Sequence, residues 1–193
     1  MGETLFVRVF RRTNKPKSMI ISKLKKIIAI LPIHSAEKFE RKTKMIKILF
    51  VCHGNICRST MAQSVFQHIV NENGAADQFE IDSAATSTEE IGNPPHHGTV
   101  NELRKHNIPL VPHRARQLNK SDGEHYDYII GMDTANIRNM QRILGGSGKI
   151  YKLMTFADMS KDVADPWYTG DFAETYADIS LGCQKLFEKL DRE

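Results

Sequence analysis

Cysteine is scarce, with three residues in 193, at positions 52, 57 and 183. So few thiols, and an odd number of them, exclude a disulfide scaffold and point to a reducing compartment, so a cytoplasmic location is expected. The N-terminal region has no long apolar run: Ile27–Leu31 stops at Pro32, far short of the roughly 20 residues a membrane span needs. With His34-Ser35-Ala36 behind it, the same run is too short and poorly finished for a secretory signal. Metal-ligand clusters are also missing. His96 and His97 are adjacent, which does not converge two imidazoles on one ion, and no Cys/Asp cluster supports them. No metal and no cofactor are therefore expected. There is no internal repeat and no low-complexity tract.

Charge is unevenly spread. The net +4 divides into +9 over residues 1–44 and −5 over residues 45–193. The larger part thus lacks the basic footprint of a nucleic-acid binder. Residues 1–44 hold one basic cluster at Arg8, Arg11, Arg12, Lys15 and Lys17 and a second at Lys23, Lys25 and Lys26. They read as a basic, poorly ordered N-terminal extension, either a true appendage or a stretch upstream of a start at Met45. An amphipathic contact with a membrane surface stays open for it. Residues 45–193 form one domain, long enough at 40% apolar content to bury one good core.

From Met45 onward, strand and helix patterns alternate. Strands are expected at about 46–51, 79–84, 126–132 and 150–154, and helices at about 59–72, 97–106 and 134–144. Residues 111–118 read as irregular or a short strand, and the Asp165 region as a long loop. The last helix opens at Asp171, with Glu174 three positions on. Phe172, Tyr176, Ile179, Cys183, Leu186 and Leu190 then make one apolar stripe. This alternation predicts an α/β fold, a three-layer αβα sandwich around a four-stranded parallel sheet. Ligands of such sheets bind beyond the carboxyl ends of the strands.

The stretch Val51-Cys52-His53-Gly54-Asn55-Ile56-Cys57-Arg58-Ser59-Thr60 lies at that edge, between the first strand and first helix. A tight loop running into a helix N-terminus turns backbone N–H groups and the positive dipole end inward, which suits an anion. Cys52 opens the loop as a candidate nucleophile, since a thiolate attacks where a thiol does not. Arg58 closes it with a planar fork that matches two phosphoryl oxygens. Ser59 can donate a hydrogen bond to the sulfur, Gly54 permits a close turn and Asn55 tolerates a left-handed backbone. A cysteinyl-phosphate route also needs a proton donor for the leaving oxygen and a base for water. Asp165 is the candidate for both, with Pro166 to stiffen it and Trp167-Tyr168 as aromatic walls.

These residues resemble the low-molecular-weight protein tyrosine phosphatases over about residues 46–190. The Cys52–Ser59 loop is similar to the family's phosphate loop. Asp82-Ser83-Ala84, Gly92-Asn93-Pro94, His113-Arg114-Ala115-Arg116-Gln117, Asp127-Tyr128-Ile129 with Met132-Asp133, and Asp165-Pro166-Trp167-Tyr168 are similar to its other signatures. The resemblance implies a flavodoxin-like strand order 2-1-3-4 and metal-independent hydrolysis of phosphotyrosine in a protein substrate by a monomer or weak dimer. It implies Cys52 as nucleophile, Arg58 as phosphate binder and Asp165 as general acid and base. His53, Gly54, Asn55, Ile56, Cys57, Arg58 and Ser59 then form the phosphate-binding loop. Asn55, Ser59, Ser83 and His113 become a supporting hydrogen-bond network, and Trp167 and Tyr168 receive the substrate ring. Cys57 becomes a redox partner, because in the family such a pair can form a reversible disulfide. Arg114 and Arg116 read as structural or solvated, with holding the loop as the lesser alternative. Two positions depart from the pattern: Thr60 stands where proline is usual, and Glu89-Glu90 where an aromatic is frequent. Two alternatives are an arsenate reductase on the same fold, for which Cys183 alone cannot supply a relay pair, and a non-catalytic phosphate-binding module.

Overall fold

The computed structural model describes residues 45–146 and 148–192. The expectations for residues 1–44 lie outside the described residues. Four strands, β1 (Ile46–Cys52), β2 (Phe79–Ala85), β3 (Tyr128–Gly131) and β4 (Ile150–Lys152), form one sheet in the order β2-β1-β3-β4. All three pairings are parallel. Six helices accompany them among the described residues: α1 (Arg58–Glu72), α2 (His97–Lys105), α3 (Lys120–His125), α4 (Thr134–Leu144), α5 (Pro166–Thr169) and α6 (Phe172–Leu190).

The near-continuous apolar run of β1 reflects burial on both faces. Its alternate residues separate into two cores. Ile48, Phe50 and Cys52 pack with Met61, Val65 and Phe66 of α1 and with Ile179, Cys183 and Leu186 of α6. Leu49 and Val51 face the other way, against Leu118, Tyr126 and Met140. The result is the three-layer αβα arrangement, with α1 and α6 on one side and α4 on the other. Phe66 stands at the centre of the first core, 5.8 Å from Phe50 and 5.5 Å from Phe79 between ring centroids, and tilted or edge-on to both. Such pairs add about 0.5–1.5 kcal/mol each beyond the area they bury. They fix the angle at which α1, and hence the loop before it, meets the sheet.

Most element positions follow the hydrophobic pattern, and the departures have local causes. Helix α3 carries no apolar period; it forms because Asn119 and Asp122 make a reciprocal capping box at its start. The strand foreseen to residue 154 ends at Lys152, and Leu153–Ala157 tightens into a 3-10 turn. The Asp165 loop contains one helical turn, α5, with Pro166 at its first position and the Asp165 carboxylate accepting from the Trp167 N–H. Residues 111–118 are irregular apart from a single bridge between Ala85 and Gln117. On α2, Leu103 is buried in the core, whereas Val100 is only half-buried.

Candidate active site

The sheet order reverses direction between β1 and β3, so the carboxyl ends of these strands diverge and leave a crevice. Cys52 ends β1 on one side of it, and Asp133 follows β3 on the other. Residues 53–57 loop between Cys52 and α1. Their shape depends on Asn55, which has φ of 58° and is fully buried. That left-handed turn brings the Asn55 N–H to 3.2 Å from the Cys52 sulfur. The N–H groups of Arg58, Ser59 and Thr60 lie in the first turn of α1, where a helix has no internal acceptors for them. Thr60 turns its hydroxyl back to the Cys57 carbonyl at 3.0 Å, so the position needs no proline to complete the turn.

One side chain organises the layer beneath the loop. The Asn55 amide donates to the hydroxyls of Ser59 and Ser83, both at 2.9 Å. Its oxygen accepts from the His113 ring at 2.7 Å and from the Arg116 N–H at 3.1 Å. His113 must therefore carry its proton on Nε2. Burial holds the His113 pKa below the usual histidine value, with Asp82 opposing and Arg116 reinforcing the shift, which keeps the ring neutral. Ser59 Oγ accepts from Asn55 and lies 3.0 Å from the Cys52 sulfur, so its proton goes to that sulfur when Cys52 is a thiolate. Ser83 passes its proton to Gln63 at 2.6 Å. The four residues foreseen as a network thus meet under the loop, with Gln63 and Arg116 as further members.

Arg58 is 3% exposed and is gripped from two sides. Nη1 donates to Asp133 Oδ2 at 2.6 Å and Nη2 donates to Asp165 Oδ2 at 2.5 Å. Burial works against its charge, but the nearby Cys52 sulfur, Asp165 and Asp133 outweigh that and raise its pKa. Asp133 is a residue of the candidate site that the sequence left without a role. Its Oδ1 caps α4 by accepting from the Asn136 N–H, and its Oδ2 fixes the guanidinium. An aspartate capping a helix at the strand edge that carries Cys52 was the available signal. The carboxylate of Asp165 is split in the same way, Oδ1 accepting from the Trp167 N–H and Oδ2 from Arg58.

The resulting pocket has a volume of about 110 Å³. The buried Cys52 and Arg58 line it together with the less buried Asp165, Trp167, Tyr168, Glu89 and Glu90. Trp167 is 61% and Tyr168 84% exposed, so both rings are open to an incoming group. Glu89 pairs with His53 at 3.0 Å, and Glu90 lies so close over Gly54 that a Cβ there would meet it at 3.1 Å. Cys57 lines the same pocket. Burial first, then the charges of Cys52 and Asp165, push its thiol pKa up to about 12. Among the described residues, no group of three or more His, Cys, Asp or Glu side chains is arranged to hold a metal ion.

A family model described as "Low molecular weight phosphotyrosine protein phosphatase" matches residues 47–193. The chain belongs to the low-molecular-weight protein tyrosine phosphatase family. Low molecular weight protein-tyrosine-phosphatase YfkJ of Bacillus subtilis is 39% identical over 153 residues, covering 77% of this chain and 98% of that protein. The low molecular weight phosphotyrosine protein phosphatase of Mus musculus is 41% identical over 150 residues, covering 74% and 94%. The crystal structure of YfkJ superposes with a TM-score of 0.74 over 77% of this chain and 96% of that chain, at 38% identity. That of SP-PTP from Streptococcus pyogenes superposes with a TM-score of 0.69 over 76% and 93%, at 40% identity. The phosphatase is thus a metal-independent phosphoric monoester hydrolase acting on phosphotyrosine in protein. The arsenate reductase alternative is not favoured. The only thiol beyond the loop, Cys183, is fully buried on α6, and burial alone raises its pKa. No helix among the described residues is long and apolar enough to cross a membrane.

Proposed function

We propose that Cys52 is the nucleophile of this protein-tyrosine phosphatase, Arg58 its phosphate binder and Asp165 its general acid and base. One observation carries the assignment: the Cys52 sulfur receives the Ser59 hydroxyl and the Asn55 N–H at the base of a pocket that also holds Arg58 and Asp165. Those two donors suit a thiolate. The phosphoryl group enters against the free N–H groups at the start of α1, and the Arg58 fork turns from Asp165 to two of its oxygens while Asp133 keeps Nη1 anchored. The sulfur attacks phosphorus, the bond to the aryl oxygen breaks, and Asp165 gives that oxygen a proton. Oδ1 of Asp165 is committed to the Trp167 N–H, so Oδ2 carries the proton. In the second half the ionised Asp165 takes a proton from water, whose oxygen attacks phosphorus. The sulfur–phosphorus bond breaks, restoring the thiolate and releasing phosphate.

The remaining loop residues, His53, Gly54, Asn55, Ile56, Cys57 and Ser59, shape the cradle. Ser83 and His113 act only through Asn55. Trp167 and Tyr168 flank the substrate ring. Cys57 serves as redox partner of Cys52: a peroxide oxidises the Cys52 thiolate to a neutral sulfenic acid, which removes the second largest cause of the high Cys57 pKa. The Cys57 sulfur then displaces the sulfenic oxygen as water to form the disulfide. Three free cysteines suit a reducing cytoplasm, where the enzyme works as a monomer or weak dimer. Hydrolysis of p-nitrophenyl phosphate that vanadate inhibits and EDTA leaves unchanged is the expected activity. Cys52→Ser abolishes it; undiminished turnover in that variant would overturn the assignment.

A further inference from the structure

The catalytic pocket is small for a protein substrate. At about 110 Å³ it is well below the roughly 300–1,000 Å³ of sites that enclose a drug-sized ligand. It has room for a phosphoryl group and part of a ring, so the rest of a protein substrate must lie outside it. A second, more open groove of about 620 Å³ begins at its edge and shares Ile56, Glu90 and Trp167 with it. Pro94, Pro95, His97 and Val100 continue the lining, and most of the exposed lining is apolar.

This groove is preformed rather than loose. The His96 N–H donates to the Ile56 carbonyl at 2.8 Å, which ties the groove floor to the phosphate loop. The His96 ring stacks on Phe172 at 5.3 Å and 3° and meets the Trp167 ring edge-on at 6.2 Å. Pro94 and Pro95 stiffen the rim. A surface ordered in advance loses little entropy when a side chain settles into it. Trp167 and Tyr168, two of the six large apolar residues exposed among those described, line the pocket, and Trp167 lines the groove as well. The Glu90 carboxylate accepts from the Asn93 amide at 2.7 Å and is thereby held at the border between pocket and groove.

We propose that this groove is a docking site for the substrate polypeptide, taking an aliphatic or aromatic side chain that flanks the phosphotyrosine, with Glu90 disfavouring an acidic neighbour. The proposal rests on the catalytic assignment above, because the groove is a substrate site only if its neighbour is the reacting pocket. Energy from a part of the substrate that does not react acts through binding, so the effect falls mainly on KM.

The test is kcat/KM on phosphotyrosine peptides that carry Leu, Ser or Glu at each flanking position in turn, with p-nitrophenyl phosphate as a substrate that has no flanks. At one position or more, Leu is expected to exceed Ser by about tenfold, equivalent to about 1.4 kcal/mol, with Glu poorest. Val100→Glu is expected to remove the Leu preference while p-nitrophenyl phosphate turnover stays at the wild-type level. If that variant does not fold, as loss of p-nitrophenyl phosphate turnover would report, Asn101→Glu at the groove rim takes its place. Absence of any flank preference, or a preference undiminished in both variants, would overturn the proposal. Wild-type protein inert towards p-nitrophenyl phosphate would overturn the catalytic assignment instead.

Discussion

Arg58 is held between two carboxylates, and removing Asp133 tests what that grip contributes. Asp133 does two things with two oxygens: Oδ2 accepts from Arg58 Nη1 at 2.6 Å, and Oδ1 accepts from the Asn136 N–H as the cap of α4. A hydrogen bond to a charged group contributes about 1.5–3 kcal/mol, and a helix N-cap about 0.5–2 kcal/mol. Asp133→Ala removes both, for an expected loss of about 2–5 kcal/mol, or roughly 4–20 °C in unfolding midpoint at this chain length. Asp133→Asn keeps a good cap but discards the charge, so only the Arg58 part is lost. Both variants release the Nη1 side of the guanidinium, leaving Asp165 to hold Nη2, and inorganic phosphate should inhibit them about 10–100-fold more weakly than wild type. Urea unfolding and phosphate inhibition of p-nitrophenyl phosphate hydrolysis measure the two effects separately. Equal stability of the two variants would refute the capping role. Unchanged phosphate inhibition in Asp133→Asn would refute the anchoring of Arg58.

Asp165→Asn should slow hydrolysis of simple aryl phosphates by about 10²–10⁴-fold while hurting substrates with very good leaving groups far less; equal losses for both classes would remove the proton-donor role. With its pKa near 12, Cys57 should carry about a thousandfold less thiolate at pH 8 than an ordinary cysteine. Iodoacetamide followed by peptide mapping should therefore find it essentially unmodified. His113 is kept neutral in the fold with a lowered pKa, so the unfolded chain binds the extra proton first as pH falls. Its contribution to stability is full above about pH 6.5 and is lost on acidification through the lower folded pKa. His113→Gln should flatten that part of the stability–pH curve measured by denaturant titration. A Cβ at Gly182 would stand 2.6 Å from Leu153 Cγ, where α6 packs on the 3-10 turn that follows β4. Gly182→Ala should cost about 1–3 kcal/mol by overpacking, read from the thermal midpoint.

Much of this was legible in the sequence because its signals are local. The run Ile46–Cys52 announces a doubly buried strand, the Cys52–Ser59 spacing announces an anion loop, and the α6 stripe fixes which helix face is covered. Asp133 was not legible as a partner of Arg58, since the two are 75 positions apart and meet only where β1 and β3 end side by side. Arg116, read first as structural or solvated and only second as holding the loop, had partners that were not legible for a related reason. Its guanidinium pairs with Asp82 and Asp122, and its backbone N–H reaches Asn55, all through an irregular segment with no period to read. Helix α3 is set by a cap rather than by hydrophobic spacing, so a search for apolar periodicity passes over it. The groove beside the pocket depends on Val100 facing out of the core, a rotation of α2 that its short apolar pattern does not specify.

The Asn55 side chain spends all four of its hydrogen-bonding capacities while its backbone holds a left-handed turn. Glycine would satisfy the turn but abandon every bond, leaving the His113 Nε2–H and the Arg116 N–H without their acceptor. Aspartate would satisfy the turn and the two donors, yet could give nothing to Ser59 and Ser83. Each stranded group costs about 1–3 kcal/mol, against a total stability of about 5–15 kcal/mol for a domain. No single replacement meets both demands, so this position has no neutral neighbours in sequence space. Drift can reach this position only through coordinated change at several of the residues around it.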